Sequence, residues 1–374
     1  MKKVLLVANV SKEHVRKFHI PFILKMREQG WQTDVACRMD AAIPECDHAY
    51  PLPCNRNPFD GGLWESIKIV RDLIREQQYD VVHCNTITGS IVARLAAMPF
   101  RKRGLKVFYT DHGLHFFKGA SLSRWVMGYP IEKLLAGSTD VLITVNKEDY
   151  QMANRHLRAC GAIEKIDGIG VDLSRFRDFS FQNESRDDVR EKIGLQPDSF
   201  AVGYVAEIVD NKNQIALLKT LKIVRKSIPN VMLVLVGPEH DGGWLRREAL
   251  KMGLGDCVLF LGWRNDVPAI LHAVDIYAAS SKSEGLGLNL IEAMACNLPV
   301  VAYENRGHRE VIRHKINGIL VRQGDYERMA SWLVRLYQKA DLREKLISNA
   351  QRDIAKYETE NVLTEILEIY DKYA

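Results

Sequence analysis

The chain has 374 residues, 47% hydrophobic and 26% charged, a composition that excludes wholesale disorder and suits two domains of roughly 150 to 200 residues. Basic side chains number 52 against 47 acidic ones, and a net charge of +5 is too small for a nucleic-acid-binding protein. Cys37, Cys46, Cys54, Cys84, Cys160, Cys257 and Cys296 form an odd set without a Cys-x-x-Cys pair, which argues against a cysteine zinc site or disulfide framework and for a reducing, cytoplasmic compartment.

Met1-Lys2-Lys3 and the apolar run Val4 to Val10 superficially resemble a secretory signal. The run is short, no small-residue cleavage site follows, and Ser11-Lys12-Glu13-His14 interrupts it with charge, so a buried first strand over Lys3–Ala8 is predicted. Further strands are expected at Thr33–Cys37, Val81–Cys84, Lys106–Thr110 and Val141–Val145. Gly30 stands where a helix C-cap is due before the second strand, and Leu63, Ile67, Val70, Leu73 and Ile74 keep helical periodicity between strands. The polar, poorly periodic stretch Val171 to Asp188 reads as an interdomain linker. The rhythm resumes with strands at Ala201–Val205, Met232–Val236, Val258–Leu261, Ile276–Ala279, Val300–Tyr303 and Ile319–Val321, and closes with helices at Tyr326–Lys339, Arg343–Ala355 and Asn361–Tyr373.

Alternating strands and helices imply an α/β architecture of two doubly wound parallel sheets, with their strand-end loops expected around one cleft. Residues 1–172, joined by the last helix (358–374), make the expected first domain, and 173–357 the second. No run of about 18 apolar residues occurs, so any membrane contact is expected to be peripheral.

The most informative segment runs from Ser280 to Ala295. It follows a predicted strand, carries Glu284-Gly285-Leu286-Gly287 in its loop, opens a helix containing Glu292, and stops near Asn297 with Pro299 just beyond. The glycines let backbone amides approach a ligand, and a helix N-terminus offers unpaired N–H groups to an anion. Carboxylates accept hydrogen bonds from paired hydroxyls, so one glutamate can hold a ribose and the other a hexose, with a diphosphate between them. The bland alternative is a tight turn with solvated acids.

Glu284 and Glu292, with seven residues between them, followed by Ala293-Met294-Ala295 and Leu298-Pro299-Val300-Val301, resemble the E-x7-E signature of family-4 retaining glycosyltransferases, whose architecture is the two-domain, Rossmann-like GT-B fold. Phe18-His19-Ile20-Pro21, Tyr109-Thr110-Asp111-His112-Gly113, Tyr129-Pro130-Ile131-Glu132-Lys133, Gly168-Ile169-Gly170-Val171-Asp172 and Asn305-Arg306-Gly307-His308-Arg309-Glu310 are similar to the branch that builds bacterial exopolysaccharide and capsule. The resemblance implies that Glu292 binds the donor ribose and Glu284 the transferred sugar. Amides from Gly285, Leu286, Gly287 and Leu288 would touch sugar and diphosphate. It makes Lys212 the cation on the diphosphate, so that no metal or cofactor is needed, and sets His112 against the transferred sugar with Asp111 orienting it. A front-face retaining mechanism, in which the leaving phosphate oxygen acts as base, is implied as well.

Many relatives carry an arginine where this chain has Glu207. Either Glu207 turns away, or Arg306 or Arg309 completes the phosphate clamp. Trp263-Arg264 either flanks the nucleobase or, for Trp263, packs in the core, and His83 is a weaker candidate.

The resemblance further implies a UDP-linked sugar as co-substrate and a lipid-linked saccharide acceptor. A membrane face is expected on the first domain at Pro99-Phe100-Arg101-Lys102-Arg103, Phe116-Phe117-Lys118 and Arg124-Trp125, with a basic turn plus core aromatics as the alternative. Competing functions are a nucleotide-sugar epimerase of the same architecture and a non-catalytic binding subunit. A dinucleotide oxidoreductase is disfavoured because Asn9-Val10-Ser11-Lys12-Glu13 offers no G-x-G-x-x-G.

Overall fold

The computed structural model describes residues 1–55, 61–178, 185–240 and 242–374, which divide into two compact units, Met1–Gly170 with Thr359–Ala374, and Val171–Glu358. The first unit holds β1 (Lys3–Val10), β2 (Gln32–Arg38), β3 (Ala49–Pro51), β4 (Val81–Cys84), β5 (Lys106–Asp111), β6 (Val141–Thr144) and β7 (Ala162–Lys165). All pair in parallel in the order β3-β2-β1-β4-β5-β6-β7, with Leu6 of β1 between Val35 and His83. The strand order reverses between β1 and β4, and open parallel sheets take ligands outside the carboxyl ends of the strands at such a reversal. Val4 to Ala8 are wholly buried, which is why β1 reads as a continuous apolar run instead of an alternating one.

His83 sits inside this sheet. Its Nδ1 lies 2.9 Å from the Tyr370 hydroxyl and its Nε2 2.8 Å from Thr110 Oγ1, so both ring nitrogens are engaged and its part is structural. Tyr370 belongs to the helix Thr359–Tyr373. From the same helix Tyr373 donates to Glu164 at 2.6 Å and Glu365 accepts from the Asp167 amide at 2.7 Å. The last helix therefore returns to the first unit.

Glu132, part of a motif noted in the sequence, also proves to be architectural. The Arg94 guanidinium meets it bidentately at 2.8 and 3.0 Å, with the two side chains only 1% and 8% exposed. Tyr109 covers the guanidinium with its ring 4.6 Å away, and Ser90 accepts further hydrogen bonds from it.

The second unit carries β8 (Phe200–Val205), β9 (Val231–Val236), β10 (Val258–Phe260), β11 (Ile276–Ala279), β12 (Val300–Tyr303) and β13 (Ile319–Val321), parallel in the order β10-β9-β8-β11-β12-β13. Here the order reverses between β8 and β11. The expected linker is partly built into this unit. Leu173 and Phe176, three positions apart on either side of the start of the helix Ser174–Arg177, are both buried in its core. Ser185 and Asp188 form a capping box on the helix Arg186–Lys192. The remainder of the linker, 179–184, lies outside the described residues.

The helix Leu288–Ala295 stops as its sequence demands: Asn297 takes a left-handed φ of +59° and Pro299 follows. Among the described residues no helix is long and apolar enough to cross a membrane. All seven cysteines are free, and burial pushes the Cys84 and Cys296 thiols up to about 12, out of the reactive range.

Candidate functional site

The strands flanking the reversal in the second unit, β8 and β11, release the loops 206–213 and 280–287 side by side. Lys212 and Glu284, 72 positions apart in sequence, meet there. Lys212 Nζ lies 2.6 Å from Glu284 Oε1, and the side chains are 25% and 16% exposed. The loops are also laced through their backbones. The Lys282 amide donates to Asn211 O (2.7 Å), Asn211 Nδ2 to Ser283 O (2.9 Å), and Ser280 Oγ to Lys212 O (2.8 Å).

A third loop, following β12, completes the cluster. Asn305 accepts from the His308 amide at 2.9 Å, capping the helix Arg306–Val311, and donates to Ser281 O at 3.0 Å. The Gly307 amide and Arg306 Nε both donate to the Glu284 carbonyl, at 3.1 and 3.3 Å. A Cβ on Gly307 would stand 2.8 Å from Glu284 Cβ, so a side chain at 307 would displace the acid. Of the two arginines weighed as a second phosphate clamp, Arg306 is buried and tied to Glu284, whereas Arg309 is exposed.

Glu207 faces elsewhere. Its carboxylate lies 2.8 Å from His240 Nε2 at the surface, while its carbonyl accepts from Gln214. Of the two alternatives raised by the sequence, this is the one in which Glu207 turns away.

Gly285, Leu286 and Gly287 lead into the helix whose first residue is Leu288, and Asn289 Nδ2 ties that helix start to Val205 O at 3.1 Å. The first amides of a helix precede any intrahelical acceptor, and here Leu290 is the first to find a partner, in Gly287 O at 3.0 Å. Glu292 follows Leu288 by one turn, half-buried. Burial raises its carboxyl to about 7, an effect only partly offset by the positive charge of Arg175.

His308 was quoted in the sequence but given no role. It is fully buried with Nδ1 2.6 Å from Tyr303 O; a carbonyl only accepts, so Nδ1 carries the proton and Nε2 presents a lone pair. That Nε2 is buried without a hydrogen-bond partner. A Cβ on Gly287 would come within 3.2 Å of the His308 ring, which places the histidine against the turn that leads into the helix Leu288–Ala295. Burial lowers its pKa to about 4 despite the attraction of Glu284, so the ring is neutral. The available signal was position: the motif Asn305–Glu310 begins two residues after a strand ends.

Trp263 and Arg264 are not drawn into this cluster. They follow β10, two strands from the reversal. Trp263 is 71% exposed, which overturns core packing, and Arg264 is paired with Asp266.

In the first unit Asp111 and His112 stand at the carboxyl end of β5. Asp111 accepts from the Tyr109 hydroxyl (3.1 Å) and the Gly113 amide (3.2 Å). His112 is half-buried with Nε2 buried and unpartnered, and burial lowers its pKa to about 3. Phe116 is wholly buried among Trp125, Tyr129 and His156, which removes it from the expected membrane face. The helix Leu122–Ala136 instead exposes Leu122, Val126, Met127 and Leu134, at 79%, 65%, 63% and 79%.

Residues 3–146 match the family model described as glycosyl transferase 4-like, and residues 185–353 the one described as glycosyl transferases group 1. The chain is 37% identical over 372 residues to EpsD of Bacillus subtilis (strain 168), a glycosyltransferase by name, covering 100% of this chain and 97% of that one. It is 29% identical over 291 residues, 73% of each chain, to the UDP-Gal:alpha-D-GlcNAc-diphosphoundecaprenol alpha-1,3-galactosyltransferase of Escherichia coli. Anabaena HepE, solved in complex with UDP, shares the fold at a TM-score of 0.80 over the whole of both chains, with 21% identity. With two Rossmann-like parallel-sheet units of GT-B type and this likeness along its full length, the chain belongs to the glycosyltransferases, group 1 in its second unit and type-4-like in its first.

Proposed function

We propose that the chain is a retaining hexosyltransferase that moves a hexose or N-acetylhexosamine from a UDP-linked sugar to a lipid-linked saccharide in exopolysaccharide, capsule or O-antigen synthesis. The observation that carries this reading is the Lys212–Glu284 pair, set at the strand-order reversal beside the start of the helix Leu288–Ala295. In the donor complex the diphosphate takes over Lys212 and the outward amides at Gly285 to Leu288, while Glu284 turns its oxygens to the sugar hydroxyls. Lys212 then stabilises the charge that grows on the departing nucleotide diphosphate, and no metal is required at that position. Support for the donor comes from HepE, which was solved with UDP, and for the acceptor from the galactosyltransferase whose name specifies a diphosphoundecaprenol-linked sugar.

Glu292 gives this reading a pH signature. A carboxylate accepts from both ribose hydroxyls, whereas the protonated acid does not, and burial sets the free-state pKa at about 7. Nucleotide binding through Glu292 therefore strengthens as pH rises to about 7 and levels off above it. Below that value the contribution weakens by about tenfold per unit until the pKa of the complex is reached. The diphosphate titrates as well, so calorimetric titration of UDP compares the native chain with Glu292→Gln. The ratio of their dissociation constants is expected to grow between pH 6 and pH 8; parallel profiles would remove Glu292 from the ribose site.

Membrane contact is assigned to the helix Leu122–Ala136. Leu122, Val126 and Leu134 recur at multiples of four residues and form an exposed apolar stripe, with Arg124 and Lys133 exposed beside it. Each such side chain contributes about 1.5–3 kcal/mol when fully buried in an apolar phase. Val126→Ser combined with Leu134→Ser is expected to lower co-sedimentation with anionic vesicles by roughly tenfold or more. Unchanged sedimentation of the double variant would contradict the assignment.

A further inference from the structure

We infer that His14, His19 and His112 form a binding site for a single zinc-class divalent cation in the first unit. One ring nitrogen of each lies within 4.8 Å of the others, and the Nε2 atoms of His14 and His19 are 3.0 Å apart. The rings also approach as a group, with centroids 4.8 Å apart for His14–His19, 5.4 Å for His14–His112 and 6.0 Å for His19–His112.

Three elements supply the ligands. His14 lies in the turn Ser11–Val15 directly after β1, His19 caps the helix Ile20–Glu28, and His112 follows β5. Metal–nitrogen bonds of about 2.0–2.1 Å in a tetrahedron put neighbouring nitrogens roughly 3.3 Å apart. The His14–His19 separation is already close to that edge. The longest separation must close by about 1.5 Å, within the reach of ring rotation at His14 and His112, neither of which is fully buried.

The polar atoms of the cluster suit a shared cation. At 3.0 Å the Nε2 atoms of His14 and His19 share one proton between them, and a cation in its place takes a lone pair from each. His112 Nε2 is buried with no hydrogen-bond partner, an arrangement that costs stability unless something occupies it. His83 shows the contrast within the same sheet, since both of its nitrogens are spent on Tyr370 and Thr110. Three neutral nitrogens and no carboxylate select a borderline ion such as Zn²⁺ or Co²⁺ over Mg²⁺ or Ca²⁺, and leave a fourth position for an oxygen ligand.

The test uses the full chain stripped of metal with a chelator. Co²⁺ is titrated while the visible absorption of a tetrahedral site is followed, and Zn²⁺ affinity is then read by competition with a chromophoric chelator. One equivalent per chain is expected. His14→Ala, at a half-buried position, should weaken binding by more than the ten- to hundredfold that outer-shell losses cost, with its melting temperature checked in parallel. His112→Ala should do the same. His240→Ala and His48→Ala, at exposed histidines, should leave both stoichiometry and affinity unchanged. Absence of stoichiometric binding, binding that survives His14→Ala and His112→Ala, or binding that depends on His48 or His240 would overturn the inference. No nucleotide sugar enters this measurement, so its failure leaves the transfer reading standing, and the reverse holds too.

Discussion

The Lys212→Ala chain is expected to lose roughly a hundred- to a thousandfold in kcat, a rise of about 2.7–4 kcal/mol in the barrier. The loss follows from where charge grows. The nucleotide diphosphate becomes more anionic as the sugar departs, and an ammonium fixed before that moment stabilises the transition state more than the ground state. Lys212 is placed for this role: its backbone carbonyl accepts from Ser280, and Glu284 at 2.6 Å holds its ammonium until the diphosphate takes it over. Lys212→Arg should retain part of the rate, because the charge survives while the bond geometry changes. Steady-state kinetics on both variants would check this, and a Lys212→Ala rate within twofold of native would show that the ammonium does not act on the leaving group.

Glu132→Ala is expected to destabilise the first unit by about 3–5 kcal/mol. Removing the acid leaves the Arg94 charge beneath Tyr109 without its bidentate partner, at 1% side-chain exposure. The backbone and hydroxyl of Ser90 then remain as acceptors, but they are neutral. At roughly 2–4 °C per kcal/mol for a unit of this size, the melting temperature should fall by on the order of 10 °C. Replacing both partners together, Arg94→Met with Glu132→Leu, should recover most of the loss, since apolar groups of similar volume need no compensation. A single-variant loss below about 1 kcal/mol would mean that water reaches the pair.

The strands buried on both faces announce themselves by unbroken apolar runs, as Val4–Ala8 and Met232–Val236 do, and these set out the two sheets. The edge strands β3 and β7 went unread for the complementary reason. Ala49-Tyr50-Pro51 is three residues long and contains proline, and Ala162-Ile163-Glu164-Lys165 is half polar and half exposed, as edges of sheets are. Leu173 and Phe176 sat in a polar neighbourhood that masked two core residues.

The candidate site was legible at Glu284 from its strand-end loop, and at Lys212 and His112 through the family resemblance. Sequence order could not show that Lys212 touches Glu284, because their contact depends on which strands lie next to the reversal. Nor could it give a role to His308 or gather His14, His19 and His112, whose meeting is a tertiary event between separate loops. The sequence leaves Trp263 open between flanking a nucleobase and packing in the core, because burial is not legible there; its exposure in a loop beyond β10 excludes the core.

The central claim is transfer: a diphosphate-linked sugar leaves its nucleotide because an acceptor hydroxyl takes it. The most direct measurement follows nucleotide diphosphate release from a panel of nucleotide sugars, with and without a lipid-linked saccharide, and reads the anomeric configuration of the product by NMR. Release that requires the acceptor, from a UDP-sugar and with the donor's configuration kept, is the predicted result. An epimerised nucleotide sugar formed without release, or binding with no turnover for any donor and acceptor pair, would contradict it.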